Sequence, residues 1–355
     1  MRAFFFWEAA AGGLSLKDRC NPYGPLLARD LAKLGIQLEL GDYAFRQDWL
    51  KDARNDYSVL HLNWLHWFYR DDTLEKSVFR LNRFADNLHY ARELGYRIVW
   101  TLHNRYPHER PFPELDHMAR LIVGRLADRM IAHCNYGARL ARRLFYRTER
   151  LHVIPHGHYI DIFPNEISKD AARRRLRLPA DAFVYLFFGN ARVYKGIEKL
   201  IRAYRERAAA DTRLAIMTRR AFDGSHADQV IALAEEDERI HVFTHSFFPN
   251  EDFQIYLNAA DVAVLPFSQV LTSGSAIAAL SFGKPVIVPA LGCLPELVDE
   301  SMGILYDPKD SRALSDALLD IRRRDLDMAG RAAFERARSL DWRGIAKRVA
   351  EVYRA

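Results

Sequence analysis

The chain contains few cysteines and little proline or glycine. Its 355 residues include three cysteines, 14 prolines and 18 glycines. Cys20, Cys134 and Cys293 are far apart and form no C-x-x-C pair, so the sequence predicts neither a disulfide framework nor a thiolate metal site. No low-complexity tract is present, which excludes a collagen-like or intrinsically disordered chain. We therefore expect a globular protein of the reducing cytoplasm.

Long apolar runs are also missing. No segment approaches the roughly 18 consecutive apolar residues that a membrane-spanning helix needs. The amino-terminal residues Met1–Trp7 resemble the start of a signal peptide, but their apolar run is shorter than the roughly 7–15 residues of a signal-peptide core, and Glu8 interrupts it. We interpret this segment as a buried first β-strand.

The sequence lacks a strong charge bias. There are 52 Lys and Arg against 46 Asp and Glu, for a net charge of +6. Residues 139–147 and 173–177 mix cations with apolar residues at helical spacing, which indicates either solvated helix faces or a surface for an anionic membrane or nucleic acid. RNA binding would need aromatic residues interleaved with basic ones on a sheet face, and the sequence shows none. We expect no nucleic-acid partner.

Short apolar strands alternate with amphipathic helices along the whole chain. This pattern is typical of α/β proteins in which helices cover parallel sheets. Because the pattern restarts near residue 183, we predict two doubly wound domains, at residues 1–160 and 161–335. Residues 336–355 form a terminal helix in this prediction, with Asp341 as its N-cap. Ligands of such sheets bind beyond the carboxyl ends of the strands, so we expect the site in the cleft between the domains.

A glycine-bounded loop with two cations follows the strand predicted at residues 183–188. Arg192 and Lys195 lie between Gly189 and Gly196, directly before a predicted helix. Backbone N–H groups and the helix dipole favour an anion there, and both cations can reach phosphate oxygens. The loop is neither a Walker A motif nor G-x-G-x-x-G, which disfavours a P-loop NTPase and an NAD enzyme. An ordinary loop with solvated cations is the alternative.

A second loop of this kind follows the strand predicted at residues 262–265. Thr272, Ser273 and Ser275 surround Gly274 at a helix start, where hydroxyls and N–H groups suit a diphosphate. Serine and threonine are also common N-caps, so this loop alone is a weak signal. The predicted donor-binding residues are Gly189, Asn190, Arg192, Tyr194, Lys195, Gly196, Thr272, Ser273, Gly274, Ser275 and Glu296.

Histidines and aromatic residues collect at strand ends in the first half of the chain. The histidines lie on separate loops and no predicted helix carries an H-x-x-x-H pair, so we expect no metal site. Aromatic faces stack on sugar C–H groups, while Asn and His bond hydroxyls, so the cluster predicts a sugar-binding wall. The predicted acceptor-binding residues are Asn63, Trp64, Trp67, Asn104, His108, His156, His158 and Tyr159.

These motifs together resemble the GT-B glycosyltransferases. The resemblance to their donor domain rests on Gly189 with Tyr194-Lys195-Gly196, the loop at 272–275, the segment 283–289, and Pro295-Glu296. It implies two facing Rossmann-like domains, a terminal helix that crosses back to the first, and a nucleotide-sugar donor. Because Arg192, Lys195 and the loop 272–275 would stabilise the charge of the leaving diphosphate, we expect that no metal cofactor is required. The resemblance covers nearly the whole chain.

More specific motifs resemble the bacterial exopolysaccharide β-mannosyltransferases of xanthan type. These motifs are Asn21-Pro-Tyr23, 59–64, 101–104 with His108-Glu109, 156–159, 192–196, and 272–275 with 279–281. The resemblance implies GDP-mannose as donor and a polyprenyl-diphosphate-linked oligosaccharide or other glycan as acceptor. It also implies a cytoplasmic enzyme that meets the inner face of the cell membrane, where the run 139–147 would contact anionic lipid.

One departure from the larger retaining group concerns stereochemistry. That group carries two glutamates eight positions apart, and Val270 and Ala278 stand at those positions here. Its usual arginine after the first glycine is replaced by Asn190. Both differences favour the inverting, β-forming group. An inverting reaction needs a base with a pKa near the working pH; the candidates are His66 and His103, followed by Asp18 and Glu109. The alternatives are a retaining UDP-sugar transferase, a GT-B-like sugar-nucleotide epimerase and a non-catalytic glycan-binding protein.

Overall fold

The computed structural model describes residues 1–7, 21–160, 162–219, 225–245 and 248–355. It divides into two compact units. The first unit comprises Met1–Gly157 and Leu340–Ala355, and the second comprises His158–Ser339. Cys20 and the candidate base Asp18 lie outside the described residues.

The first unit contains a six-stranded parallel sheet in the order β2-β1-β3-β4-β5-β6. Its strands are β1 (Arg2–Phe6), β2 (Gln37–Gly41), β3 (Val59–Leu62), β4 (Arg97–Leu102), β5 (Arg129–Ala132) and β6 (Leu151–Val153). Phe5, Phe6 and Trp7 are fully buried, which confirms the interpretation of the amino terminus as a buried strand. The strand order reverses between β1 and β3.

Helices cover this sheet. They are α1 (Tyr23–Ala32), α2 (Gln47–Asp52), α3 (His66–Tyr69), α4 (Leu74–Glu93), α5 (Pro113–Leu126) and α6 (Asn135–Phe145). Helix α6 buries Ala138, Leu140, Ala141 and Phe145 and exposes Arg139, Arg142 and Arg143. The buried apolar residues of α6 therefore face the protein core, and Arg139, Arg142 and Arg143 form a separate exposed face.

The second unit contains another six-stranded parallel sheet, in the order β12-β11-β10-β7-β8-β9. Its strands are β7 (Phe183–Asn190), β8 (Thr212–Arg219), β9 (Ile240–His245), β10 (Val262–Val264), β11 (Val286–Pro289) and β12 (Gly303–Tyr306). Val184–Phe188 in β7 are all buried, as expected for a strand covered on both faces. The order reverses between β7 and β10, as in dinucleotide-binding folds.

The helices of this unit are α7 (Lys169–Leu176), α8 (Ile197–Arg207), α9 (Ser225–Ala234), α10 (Phe253–Ala259), α11 (Gly274–Ser281), α12 (Leu294–Leu297), α13 (Ala313–Asp320) and α14 (Leu326–Arg338). Within α7, Arg173 is buried and pairs with Asp261 at 2.8 Å. The basic run 173–177 is therefore partly an internal anchor.

The last helix, α15 (Trp342–Arg354), belongs to the first unit. Asp341 caps it by accepting hydrogen bonds from the N–H groups of Arg343 and Gly344, which confirms the predicted N-cap. Tyr353 is buried and its hydroxyl contacts His61 Nδ1 at 2.5 Å. The predicted return of the terminal helix to the first domain is confirmed.

None of the helices in the described ranges is long and apolar enough to cross a membrane.

Candidate functional site

The predicted donor loops follow the two strands where the order of the second sheet reverses. Strand β7 ends at Asn190 and β10 ends at Val264, and these strands are neighbours. In open α/β sheets, ligands bind beyond the carboxyl ends of the strands at this point. The topology therefore brings the loop 191–196 and the loop 265–273 to one position.

Glycines hold these two loops close together. Gly196 has a φ of +71°, and a Cβ atom there would lie 2.2 Å from the carbonyl oxygen of Pro266. The N–H group of Ser268 donates to the carbonyl of Tyr194 at 2.9 Å, and the Ser268 hydroxyl donates to it at 3.2 Å. The loop after β7 therefore has a fixed position relative to the loop after β10.

A third loop, after β11, joins the same surface. Gly292 has a φ of +58°, and a Cβ atom there would lie 2.4 Å from the carbonyl oxygen of Val270. The N–H group of Cys293 donates to the carbonyl of Leu271 at 2.8 Å. The predicted donor residue Glu296 lies in the short helix α12 that follows, and its carbonyl accepts from Arg336 at 2.7 Å. Three strand-end loops thus form one continuous surface.

Lys195 and Ser275 converge on Gly189 at the centre of this surface. A Cβ atom on Gly189, whose φ is +142°, would lie 3.6 Å from Lys195 Nζ and 3.8 Å from Ser275 Oγ. Lys195 Nζ also lies 4.7 Å from the centroid of the Phe267 ring. Burial, with the positive charge of Arg192 added, lowers the pKa of Lys195 to about 8. A diphosphate bound here would offset the repulsion between these two cations.

The start of α11 provides backbone donors as well as hydroxyls. Ser273 caps this helix, since its Oγ accepts from the N–H group of Ala276 at 3.1 Å. Ser273 is therefore an N-cap, the role that the sequence alone could not separate from ligand binding. Thr272 Oγ1 lies 3.8 Å from Cys293 Sγ. Tyr159, predicted to bind the acceptor, lies in this unit, and its hydroxyl would be 3.2 Å from a Cβ atom on Gly274.

Sequence reasoning missed one cation beside the donor loop. Arg219 ends β8, and its Nε donates to Asn190 Oδ1 at 3.0 Å. The parallel register pairs these two residues directly. The signal that could have found Arg219 is a charged residue at the end of a neighbouring strand.

We expect Gly196→Ala to damage the donor site more than a matched glycine substitution. Gly35 has a similar φ of +73°, but a Cβ atom there meets nothing within 4 Å. Gly35→Ala should therefore cost only the left-handed strain, about 1–2 kcal/mol of unfolding free energy. Gly196→Ala adds the clash with Pro266 and should also weaken nucleotide binding by about tenfold or more. Chemical denaturation and nucleotide titration would measure both effects, and equal behaviour of the two variants would contradict the tight loop contact.

In the first unit, the predicted residues that lie together surround a small pocket beyond β3 and β4. Its lining includes Asn63, Trp64, His66, His103 and Asn104, all predicted from the sequence. Arg120 of α5, which the sequence analysis missed, also lines it. Burial lowers the pKa of Arg120, and its Nε donates to the carbonyl of Arg105 at 2.8 Å. The strand ends thus bring five predicted residues to one place.

A hydrogen-bonded chain of buried side chains lies beneath this pocket. Asn63 Nδ2 donates to the carbonyl of Phe6 at 3.1 Å, and Asn63 Oδ1 contacts His103 Nε2 at 2.9 Å. His103 Nδ1 contacts His133 Nε2 at 3.2 Å, and His133 Nδ1 contacts the carbonyl of Ile154 at 2.9 Å. Both ends of the chain are carbonyls, which only accept.

The chain therefore has room for one more proton than two neutral imidazoles carry. His103 Nε2 needs a proton to donate to Asn63 Oδ1, and His133 Nδ1 needs one to donate to the carbonyl of Ile154. The contact between the two rings needs a third, whereas two neutral imidazoles carry two. Burial opposes the extra charge: it lowers the pKa of His103 well below its usual range and that of His133 to about 4. Near neutral pH the pair is uncharged, with one contact in the chain left without its proton.

This arrangement bears on the candidate bases. Protein groups engage both ring nitrogens of His103, so His103 suits the positioning of Asn63 better than direct proton abstraction. His66 is half-buried at the start of α3 and lines the same pocket. Glu109 is exposed, and its carbonyl accepts from Arg70 at 2.6 Å. The role of His66 as the base stays a prediction.

The remaining predicted acceptor residues differ in exposure and belong to different units. Trp64 packs its ring 4.3 Å from that of Trp7, whereas Trp67 is 49% exposed. His156 is buried beside Tyr23, with Nδ1 at 2.8 Å from the carbonyl of Gly157. His108 is exposed, and His158 belongs to the second unit. Their acceptor roles stay predictions.

Two further buried residues of this cluster, His133 and Tyr23, were not among the predicted site residues. His133 follows β5 directly, as His103 follows β4, so the strand-end signal that selected His103 applies to it equally. Tyr23 places its ring 5.0 Å from His103 and 5.6 Å from His133. It lies in a helix, and only the tertiary structure brings it to these rings.

Family models match both halves of the chain. Residues 182–323 match the model described as glycosyl transferases group 1. Residues 78–161 match the model described as glycosyltransferase family 4. The first match contains the loops after β7, β10 and β11 described above.

Curated relatives are glycosyltransferases. D-inositol 3-phosphate glycosyltransferase 1 of Catenulispora acidiphila is 31% identical over 94% of this chain and 79% of its own length. GDP-mannose:glycolipid 4-beta-D-mannosyltransferase of Xanthomonas campestris pv. campestris is 28% identical over 74% of this chain and 71% of that protein. The D-inositol 3-phosphate glycosyltransferase of Xylanimonas cellulosilytica is 31% identical over 58% of this chain. That match spans about half of the relative's own length, 51%.

Solved structures share the fold. Sucrose-phosphate synthase from Thermosynechococcus elongatus has a TM-score of 0.76 at 20% identity, covering 99% of this chain and 98% of that one. Anabaena HepE in complex with UDP and glucose has a TM-score of 0.73 at 17% identity, covering 100% and 99%. These likenesses confirm the two Rossmann-like domains of the GT-B fold. Together with the family model on the donor loops and the relative matched over most of its length, they lead to one conclusion: this chain belongs to the group 1 glycosyltransferases.

Proposed function

We propose that this glycosyltransferase moves mannose from GDP-mannose, with inversion to a β-linkage, onto a hydroxyl of a lipid-linked oligosaccharide or related glycan. The observation that carries the proposal is the convergence of Lys195, Ser275 and Gly189 where the second sheet reverses its order. The mannosyl assignment is supported by the Xanthomonas relative. Ala278 and Val270, at the positions of the two glutamates of the retaining group, support inversion.

The donor site would stabilise the leaving group. Negative charge grows on the nucleoside diphosphate as the bond between the sugar C1 and the phosphate oxygen breaks. Arg192, Lys195 and the N-terminus of α11 place positive charge where that charge develops, which is commonly the largest contribution to such catalysis. In this proposal these groups act without a metal cofactor.

The acceptor oxygen would attack C1 from the opposite face. As the new C1–O bond forms, a nitrogen of His66 accepts the hydroxyl proton, and the nucleoside diphosphate leaves with the electrons of the broken bond. A histidine suits this role because its ordinary pKa lies near neutral pH. His103 and His133 do not contact the acceptor in this proposal. Through their hydrogen bonds they hold Asn63 against the carbonyl of Phe6.

A retaining UDP-sugar transferase is the second candidate. The Catenulispora relative, a D-inositol 3-phosphate glycosyltransferase, matches a larger share of this chain than the mannosyltransferase does. The Anabaena structure of the same fold holds UDP and glucose. The base of the nucleotide is therefore the feature to test first.

We expect GDP and GDP-mannose to stabilise the protein more than UDP and UDP-sugars. A ligand at 100-fold its Kd adds about 2.7 kcal/mol to the unfolding free energy, which a thermal-shift series detects readily. The anomeric proton of the product, observed by NMR, then reports the linkage. A preference for UDP or an α-linked product would overturn the corresponding part of the proposal. An epimerised sugar product formed without any acceptor would instead support an epimerase.

A lipid-linked acceptor would bring the protein to an anionic membrane. Each cation near such a surface contributes about 1 kcal/mol, and the exposed face of α6 carries Arg139, Arg142 and Arg143. We expect co-sedimentation with phosphatidylglycerol vesicles and little with phosphatidylcholine vesicles. Replacing all three arginines by alanine should reduce that binding by about a hundredfold. Binding indifferent to lipid charge would count against a peripheral membrane enzyme.

A further inference from the structure

A second basic site lies at the opposite edge of the first sheet. Here a cavity of about 520 Å³ opens beside the amino ends of β5 and β6. Its walls are the end of α5 and the loop 146–150, which connects α6 to β6. Arg92, Arg125, Arg147 and Arg150 line it, together with the carboxylates Asp128 and Glu149.

The positive charge of this cavity is not neutralised by ion pairs. None of its four arginines pairs with a carboxylate within the described ranges. Arg129 and Arg97 are further cations close by: burial, with Arg150 and Arg97 beside it, lowers the pKa of Arg129. Burial, with Arg150 and Arg129 beside it, likewise lowers the pKa of Arg147. Mutual repulsion of this kind is relieved by a bound anion.

Arg147 is fixed in place before any ligand arrives. Its guanidinium donates to the carbonyls of Gly124 at 3.1 Å, Ala127 at 2.9 Å and Asp128 at 2.8 Å. These bonds cap carbonyls at the end of α5 that would otherwise repel an anion. The Nε atom of Arg147 is buried and has no hydrogen-bond partner among the described residues. The wall that faces the cavity is therefore rigid and positive.

The loop that closes the cavity is strained. Tyr146 has a φ of 51° and Arg150 a φ of 50°. Only three non-glycine residues in the described ranges have a positive φ, and this five-residue loop contains two of them. Such conformations cost about 1–3 kcal/mol each and concentrate at binding sites. Tyr146 is also 78% exposed, so an aromatic ring stands at the rim.

We propose that this cavity binds the phosphate group of a phosphate ester, at a site separate from the nucleotide-sugar site. Planar guanidinium groups match phosphate oxygens in pairs, and arginine is the residue that favours such contacts. The cavity is larger than a free phosphate ion, so it has room for an organic group attached to the phosphate. A soluble sugar phosphate and a phospholipid headgroup share this chemistry.

The test compares Arg125→Gln/Arg150→Gln with a control of equal charge, Arg83→Gln/Arg343→Gln, whose arginines are exposed elsewhere on the same unit. The glutamines keep most of each side chain, so folding should persist, and circular dichroism would check it. The probes are glucose 6-phosphate, with sodium chloride at matched ionic strength as reference, and phosphatidylglycerol vesicles. Binding is read by calorimetry for the soluble ester and by co-sedimentation for the vesicles.

We expect the wild type and the control to bind at least one probe, and the cavity variant to bind it at least tenfold more weakly. Loss confined to glucose 6-phosphate identifies a soluble ester, and loss confined to vesicles identifies a headgroup. Lys195→Ala should leave this binding unchanged, because Lys195 belongs to the other unit. Equal binding by the cavity variant and the control in both arms, or no binding beyond sodium chloride in either, would overturn the proposal.

Discussion

Lys195→Ala should lower the rate of glycosyl transfer by about 10²–10³-fold and leave the protein folded. Removing one preorganised group that stabilises developing charge typically costs this much. Lys195 Nζ lies near Gly189 and Ser275, where the leaving diphosphate would sit. The measurement is kcat with a saturating nucleotide sugar, alongside the thermal unfolding midpoint. Since burial lowers the pKa of Lys195, losing its charge should not destabilise the unliganded fold.

Lys199→Ala is the matched control. Lys199 lies in the first turn of α8 and places Nζ 5.3 Å from the centroid of the Tyr306 ring. The Lys199→Ala substitution removes the same charge from a nearby position whose side chain lies against Tyr306. Equal rate losses in both variants would show that the positive charge of this region matters and the position of Lys195 does not. Near-normal activity of Lys195→Ala would show that Lys195 does not stabilise the leaving diphosphate.

The pH dependence gives an independent reading of Lys195. The pKa of this residue in the unliganded protein is about 8, and only the protonated form carries the charge that a diphosphate needs. Donor affinity should therefore be full below pH 8 and fall as the pH rises through it. In Lys195→Arg, the guanidinium stays charged throughout, so this decline should vanish. If donor affinity still declined with pH in Lys195→Arg, the decline would come from another titrating group.

Acidification should destabilise the first unit strongly, because several histidines are buried there without charge. Burial lowers the pKa of His61 and His156 to about 3 each, and that of His133 to about 4. The unfolded value is near 6.5, so the unfolded state binds protons first as the pH falls. Stability is unaffected above pH 6.5 and is lost progressively below it.

The size of the effect follows from proton linkage. At pH 5 each of these three histidines costs about 2 kcal/mol of unfolding free energy, so together they approach the roughly 5–15 kcal/mol stability of a typical domain. Urea denaturation followed by tryptophan fluorescence between pH 7.5 and 5 measures this. His61→Phe should lower the slope by about 1.4 kcal/mol per pH unit, whereas the exposed control His89→Gln should not change it. A slope equal in the wild type and His61→Phe would show that His61 is protonated in the folded state.

The positions of the predicted donor residues relative to one another were largely predictable because their sequence signals are local. A glycine that needs a positive φ, a cation and a helix start all lie within a few residues of a strand end, as at Gly189, Lys195 and Gly196. What escaped prediction involves a neighbouring strand: Arg219 reaches Asn190 only through the register of β7 and β8. The sequence does not show whether Ser273 caps α11 or binds a ligand. The hydrogen bond from the N–H group of Ala276 identifies it as the cap.

In the first unit, most features of the candidate site depend on contacts between residues that are distant in the chain. His103 and His133 satisfy the same sequence rule, yet their pairing depends on β4 and β5 lying side by side. Likewise, Asn63 was predicted to bind an acceptor, while its side chain bonds inward to Phe6 and His103. A sequence pattern places a side chain at a strand end, but the direction of its hydrogen bonds depends on neighbours that are distant in the chain.

The sequence by itself determined the α/β class, the buried first strand, the capped terminal helix and the loops that suit a diphosphate. Each depends on apolar periodicity or on backbone chemistry within a short segment. Only the tertiary structure decided which strand ends are neighbours, which histidine rings contact each other, and where arginines from α4, α5 and the loop 146–150 line one cavity. Those features depend on contacts between residues far apart in the chain, and local patterns contain no information about them.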